Sequence, residues 1–173
     1  MGTGGRAAVD GAMASGLMSR LIKAGFGYDC SLRILNSSML FKSTDESLAT
    51  VDIASIDLFT GQVELYKAGA APTLIRRSGR TGKAESTSLP AGILREISFD
   101  KAVVRCKIGD IVVLMSDGAS FEGTDWIKGE IENWSDGTAE ELAERICEGA
   151  KRRRSDNHLV DITVMTAVLK KSV

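Results

Sequence analysis

Two acidic residues stand where chemistry could take place, and the first is Asp117. It follows Ile111 to Met115, a run of five apolar residues that predicts a strand buried on both faces. A carboxylate at the end of such a strand needs a partner, because burying an unpaired charge costs several kcal/mol. Asp117 is therefore either an oxygen ligand for a hard divalent cation at a sheet edge or a turn residue beside Gly118, and the residue types alone favour the turn.

The second acidic residue, Asp161, lies in Val160-Asp161-Ile-Thr163, at the start of the last apolar run. Catalysis by a Ser-His-Asp or Cys-His arrangement would have to use His158, the only histidine, which disfavours that class of mechanism. The three cysteines are far apart and odd in number, so they indicate neither a disulfide framework nor a zinc site. Such cysteines suit a reducing compartment, and we expect a cytoplasmic protein.

Composition limits the classes of protein to which the chain can belong. The chain has 173 residues, of which 43% are hydrophobic and 26% charged, as in a single globular domain spanning 1–173. A formal net charge of −1 gives no global field that would attract nucleic acid or an anionic membrane. No run of 18 apolar residues is present, so we expect no membrane span, and the small, flexible opening does not read as a signal peptide.

Hydrophobic periodicity and turn residues predict the elements that position these acids. Helices are expected at about 6–24, 29–40, within 121–132 and at 138–154, and strands at 49–59, 63–69, 70–77, 96–107, 111–115 and 162–169. Strands that follow one another, with helices grouped in pairs, favour an α+β fold with antiparallel sheets.

Several local features support this order of elements. Asp29 is a candidate cap for the second helix, and Thr138 with Glu141 forms a capping box for the last one. A basic cluster beside a predicted hairpin turn either meets a phosphorylated partner or, as we prefer, only protects a strand edge; it contains Arg76, Arg77, Arg80 and Lys83. The first helix has an apolar face made of Ala8, Ala12, Leu17, Met18, Leu21 and Ile22.

A series of short motifs along nearly the whole chain resembles the serine phosphatase domain of stage II sporulation protein E. That family is a bacterial branch of the metal-dependent type-2C protein phosphatases. The motifs lie at 1–8, 43–46, 49–53, 56–58, 67–72, 88–93, 109–113, 116–118 and 161–164. Each is weak alone, but their order and spacing together are specific.

The resemblance implies a fold and an activity. The fold is a four-layer α-β-β-α sandwich, here lacking its first strands. The activity is hydrolysis of phosphoserine or phosphothreonine on a partner protein, with two Mn²⁺ or Mg²⁺ ions that bind the phosphate and lower the pKa of a bridging water. In this branch the usual substrate is a phosphorylated anti-anti-sigma protein, so dephosphorylation releases a sigma factor.

The resemblance also implies site residues. Asp117 matches an aspartate metal ligand, and Gly118 follows it in the same turn. Gly2 belongs to the remnant of another metal-binding turn, whose Asp-Gly pair is expected to be missing through N-terminal truncation. The family's third carboxylate ligand corresponds to Val160, while Asp161 is shifted by one residue, a shift that turns a strand side chain to the opposite face.

Three hypotheses follow from these matches and departures. The chain is a phosphatase domain, or a catalytically impaired pseudophosphatase or fragment that binds the sigma-regulator partner without turnover, or, well behind these, an unrelated α+β domain. Missing strands would leave sheet edges and apolar faces exposed, so we expect possible self-association. Family members can carry membrane spans upstream, so a longer parent protein could be membrane-tethered.

Overall fold

The computed structural model describes residues 5–42, 48–154 and 161–171. In these ranges the helices are α1 (Gly5–Lys23), α2 (Tyr28–Lys42), α3 (Asp117–Ser120), α4 (Asp125–Glu132) and α5 (Ala139–Arg153). The strands are β1 (Val51–Ile56), β2 (Gln62–Ala68), β3 (Thr73–Arg77), β4 (Arg80–Ala84), β5 (Asp100–Arg105), β6 (Ile111–Met115) and β7 (Val164–Val168). No helix in this part of the chain is long and apolar enough to cross a membrane.

The strands form two antiparallel sheets, as the α+β prediction requires. One sheet has the order β1-β2-β5, and the other has the order β4-β3-β6-β7. In the second sheet β6 is central, with Leu74 opposite Val113 on one side and Met115 opposite Val164 on the other. The predicted bounds of β6 are confirmed, and its residues are buried except for the half-buried Leu114.

The chain is divided into two compact units, each assembled from several stretches. One comprises Met1–Ile53, Leu65–Ala70 and Ser86–Lys101, and the other comprises Ala54–Glu64, Ala71–Glu85 and Ala102–Val173. That one domain spans 1–173 stays a prediction. The core of the first unit contains Ala14, Met18, Leu32, Leu35, Met39, Ala49, Tyr66, Ala91 and Ile97. The core of the second contains Leu74, Ile111, Val113, Met115, Ala119, Ile127, Ile131, Leu142, Ile146 and Ala150.

The buried face of α1 differs from the predicted one. Asp10, Ala14 and Met18 are buried at four-residue steps, while Ala12 and Ile22 are exposed. The error arose because the prediction counted apolar residues only, whereas this face includes a carboxylate. Asp29 lies within the first turn of α2 and not before it, so its assignment as the cap is also wrong.

Arg76 does not belong to a free basic hairpin tip. It is half-buried on β3, and its guanidinium donates hydrogen bonds to the carbonyl oxygens of Ile131 (2.8 Å), Trp134 and Gly109 (3.1 Å). Arg76 therefore satisfies carbonyls at and beyond the C-terminus of α4, which have no partners within that helix. Lys83 is paired with Glu85 at 2.6 Å, so the preferred interpretation as a charged hairpin end suits the remaining residues.

The capping box of α5 is confirmed. The Thr138 hydroxyl accepts the Glu141 backbone N–H at 3.1 Å, and the Glu141 carboxylate accepts the Thr138 N–H at 2.7 Å. The last turn of α5 carries Lys151, Arg152 and Arg153, whose positive charges complement the helix dipole. In the structure two arginines at this end also lie over aromatic rings: the Arg153 guanidinium is 4.2 Å from the Trp126 ring centre, and that of Arg154 is 5.3 Å from Phe121.

Candidate functional site

Antiparallel pairing of β6 with β7 brings the two acidic turns together. Met115, the last residue of β6, is opposite Val164, the first residue of β7. Asp117 lies two residues beyond β6, and Asp161 lies three residues before β7, so both belong to the same edge of the sheet. Sequence reasoning found both residues but could not show that they are neighbours, because strand pairing depends on contacts between distant parts of the chain.

Ser116 connects the two turns. Its backbone N–H donates to the Thr163 carbonyl at 2.9 Å, and its hydroxyl oxygen accepts the Thr163 N–H at 3.0 Å. The same hydroxyl lies 3.4 Å from the Asp161 carbonyl, toward which it donates. Sequence analysis overlooked this residue as a positioning group. The available signal was a hydroxyl side chain directly between the buried strand and Asp117.

Asp117 is exposed and begins the short helix α3. One of its carboxylate oxygens, Oδ1, accepts the Gly118 N–H at 2.9 Å, a local contact of the kind expected for a turn aspartate. The expectation that Asp117 needs a partner because it is buried is wrong, since solvent reaches the side chain. The buried residues of α3 are instead Gly118 and Ala119.

Asp161 is also exposed, and its backbone carbonyl faces Ser116. Gly2 and Val160, the other positions that the resemblance identified, lie outside the described residues. Carboxylates are suitable ligands for Mn²⁺ or Mg²⁺, and Mg²⁺ takes six oxygen ligands, several of which are usually water. The described ranges contain no group of three or more His, Cys, Asp or Glu that could hold a metal. The residues described therefore do not complete a divalent-cation site by themselves.

A separate polar cluster surrounds Asp100 in the first unit. Its carboxylate accepts hydrogen bonds from Ser86, Thr87 and Ser88, through their hydroxyls and the backbone N–H groups of Thr87 and Ser88, at 2.7–2.9 Å. Burial would raise the pKa of Asp100, but the hydrogen bonds from Ser88, Ser86 and Thr87 outweigh it and hold this pKa well below its ordinary range. A carboxylate that accepts this many hydrogen bonds from its neighbours has a structural role, and we assign that role to Asp100.

The same unit contains a buried ion pair. Lys67 is 2% exposed, and its ammonium donates to the Asp52 carboxylate at 2.6 Å. Burial lowers the pKa of Lys67, while its hydrogen bond and charge interaction with Asp52 act in the opposite direction. Removing either partner alone would leave an uncompensated buried charge and destabilise the fold.

Comparison with known proteins identifies what the chain is similar to. The family model of stage II sporulation protein E (SpoIIE) matches residues 1–170. The chain is 28% identical over 172 residues to stage II sporulation protein E of Bacillus subtilis (strain 168). This alignment covers 95% of the chain and 21% of that relative. The chain thus spans about a fifth of the length of this curated relative.

Solved structures agree with the family match. One is the PP2C phosphatase domain with a fragment of the regulatory domain of the cell fate determinant SpoIIE from Bacillus subtilis. The identity is 28%, the TM-score 0.84, and the match covers 96% of this chain and 51% of that one. The Mn-presoaked phosphatase domain of the same protein matches with 25% identity, TM-score 0.63 and coverages of 91% and 72%. These likenesses confirm the expected fold class.

Proposed function

Because the chain belongs to the stage II sporulation protein E family, we propose that it is a metal-dependent protein serine/threonine phosphatase domain. One observation carries this proposal: the β6–β7 pairing and the Ser116–Thr163 hydrogen bonds hold Asp117 and Asp161 at one sheet edge. Both carboxylates are exposed there, where a phosphorylated protein can approach. The solved relatives that are PP2C phosphatase domains support the proposal.

In this proposal three of the described residues have separate roles. Asp117 would supply a carboxylate oxygen to Mn²⁺ or Mg²⁺ and Asp161 would supply a second, while Ser116 holds the two turns together through Thr163. When bound, such ions neutralise phosphate charge and activate water for hydrolysis. The proposed substrate is a phosphorylated anti-anti-sigma-type regulator that acts in sporulation or stress signalling, and the proposed compartment is the cytoplasm.

The direct test is Mn²⁺-dependent release of phosphate from a phosphoserine-containing sigma-regulator protein. We expect Asp117→Asn to lower the rate by about a hundredfold or more, because the substitution removes a metal-binding charge and keeps the side-chain shape. Asp29→Asn is the matched control, since Asp29 is likewise an exposed aspartate in the first turn of a helix. Equal loss of activity in both variants, or a fully active Asp117→Asn, would contradict the assignment.

The second candidate is a catalytically impaired domain that binds the sigma-regulator partner without turnover. It is favoured by the shortage of carboxylates, since the described residues offer no group of three that could hold a metal. In that case the chain would bind the regulator protein while releasing no phosphate. Val160→Asp would restore a carboxylate at the position where the family carries one, so a gain of turnover in this variant distinguishes a lost ligand from an unrelated defect.

A further inference from the structure

An apolar groove lies in the second unit, at the end of the sheet where β6 begins and β7 ends. Its volume is about 710 Å³, and it is lined by Ile56 and the three stretches 58–61, 106–108 and 167–170. Ile111 opens β6 and is opposite Val168, whereas the acidic turns flank the opposite end of the same two strands. Five residues of strand span roughly 17 Å, so the groove and the acidic turns are separate regions.

Large apolar side chains are unusually exposed around this groove. Phe59 is 101% exposed, Leu58 85% and Ile108 67%. Single exposed apolar residues are common on soluble proteins and need no explanation. Three of them that line one concave surface form a patch of the kind that marks an interaction site.

The turn that presents Leu58 and Phe59 has a defined conformation. Asp57 accepts hydrogen bonds from the Phe59 N–H at 2.8 Å, the Thr60 N–H at 3.2 Å and the Thr60 hydroxyl at 2.7 Å. Gly61 then takes φ of +71°, and a Cβ there would lie 2.2 Å from the Cys106 carbonyl oxygen, so only glycine fits. The backbone that carries these exposed side chains is thus ordered before any partner binds, which lowers the entropy cost of binding.

The charged residues that line the groove are both basic. The exposed Asp57 lies between two lining residues, and its carboxylate oxygens accept the Phe59 and Thr60 hydrogen bonds of the turn. Lys107 and Lys170 line the groove, Lys171 follows directly, and all three are exposed. None of the residues that line the groove is an aspartate or a glutamate. This pattern complements a partner that combines apolar side chains with carboxylates. A symmetric contact with a second copy would instead bring like charges together, and a flat bilayer surface would not fill a concave groove.

We propose that this groove is a docking site for an acidic amphipathic segment of a partner protein. Apolar side chains of the segment contact Leu58, Phe59 and Ile108, and its carboxylates pair with Lys107 and Lys170. The proposal does not depend on the phosphatase assignment, since it uses none of the residues in the acidic turns.

The test uses the full chain and two synthetic peptides of about 18 residues, or five helical turns, built from leucine and either glutamate or lysine. Fluorescence anisotropy should show binding of the glutamate peptide and at least about tenfold weaker binding of the lysine peptide. Phe59→Ser and Ile108→Ser should each weaken binding of the glutamate peptide by about tenfold or more. A Lys107→Glu/Lys170→Glu variant should reverse the preference between the two peptides.

Phe41→Ser is the matched control, because Phe41 is 92% exposed but belongs to α2 in the first unit. It should leave peptide binding unchanged. The proposal is overturned if the glutamate peptide does not bind, if both peptides bind equally, or if Phe41→Ser weakens binding as much as Phe59→Ser. It is also overturned if Phe59→Ser abolishes binding to anionic vesicles or dissociates a dimer of the chain while leaving peptide binding intact.

Discussion

At the scale of single residues, the arrangement of the two acidic turns depends on Ser116 more than on Asp117 or Asp161. Asp117 and Asp161 are exposed, and their positions follow from the backbone around them. Ser116 contributes both its amide and its hydroxyl to that arrangement through Thr163. A residue with no proposed contact to metal or substrate therefore links the two turns that carry the carboxylates.

Ser116→Ala should disturb this arrangement without unfolding the chain. Loss of the hydroxyl removes one hydrogen bond at a partly exposed position, which lowers the free energy of unfolding by about 0.5–1.5 kcal/mol. If the proposed function is correct, misplacement of the carboxylates lowers phosphatase activity by roughly tenfold to a hundredfold. Urea titration and phosphate release measure the two effects, and Ser116→Thr, which keeps a hydroxyl, should retain most activity. An active Ser116→Ala would remove the positioning role.

The Asp100 cluster gives a prediction about pH. Its pKa in the folded state lies below the unfolded value of about 4, so Asp100 stabilises the fold above that value and loses this effect as pH falls through the folded pKa. Asp100→Asn should lower the free energy of unfolding by about 1–3 kcal/mol at neutral pH. The difference from the unmodified chain should shrink in acid below about pH 4. Urea unfolding across pH measures it, with the exposed Asp136→Asn as control; a difference that does not change with pH would contradict the assignment.

At the scale of elements, the sequence best predicted those helix and strand limits that are set by residues close together in the chain. The β6 bounds follow from an uninterrupted apolar run, and the start of α5 follows from Thr138 and Glu141, which are three residues apart. Long-range contacts were not predictable in the same way. Periodicity could not show that Arg76 satisfies carbonyls near the end of α4, or that Ser116 joins Thr163, because both contacts link residues far apart in sequence.

The capping box of α5 provides the test at this scale. Thr138→Ala removes the acceptor for the Glu141 N–H, so it should lower the free energy of unfolding by about 1 kcal/mol. Thr138→Ser keeps the acceptor and should behave like the unmodified chain. Thermal and urea unfolding measure both variants. Equal stability of Thr138→Ala and Thr138→Ser would show that the capping hydrogen bonds do not stabilise α5.

At the scale of the whole molecule, weak net charge accompanies many exposed apolar side chains. The formal net charge is −1, which provides little repulsion between copies. Several large hydrophobic residues are more than half exposed, among them Val9, Phe41, Leu58, Phe59, Ile108, Phe121 and Met165. These two properties together favour association through apolar surface.

We therefore expect the chain to self-associate as its concentration rises. Sedimentation velocity over a wide concentration range should show an increasing average mass, with little change when salt is raised, because the contact is apolar. Phe41→Ser and Met165→Ser should each reduce association in proportion to the surface they remove. A monomer at every concentration would contradict this expectation, and association abolished by salt would assign it to charge.

The pairing of β6 with β7 has a further consequence for how this site can vary. The ladder is fixed by five residue pairs, and Asp161 reaches its place because two residues, Ile162 and Thr163, lie between it and Val164. The register of this ladder therefore determines which residue before β7 lies beside Ser116. A substitution at either turn leaves this register in place, although Ser116→Ala removes a hydrogen bond that links the turns. One residue inserted or deleted between Asp161 and Val164 would instead move the carboxylate along the chain and bring a different residue to Ser116. The placement of Asp161 thus depends on the number of residues before Val164 as well as on the side chain of Ser116.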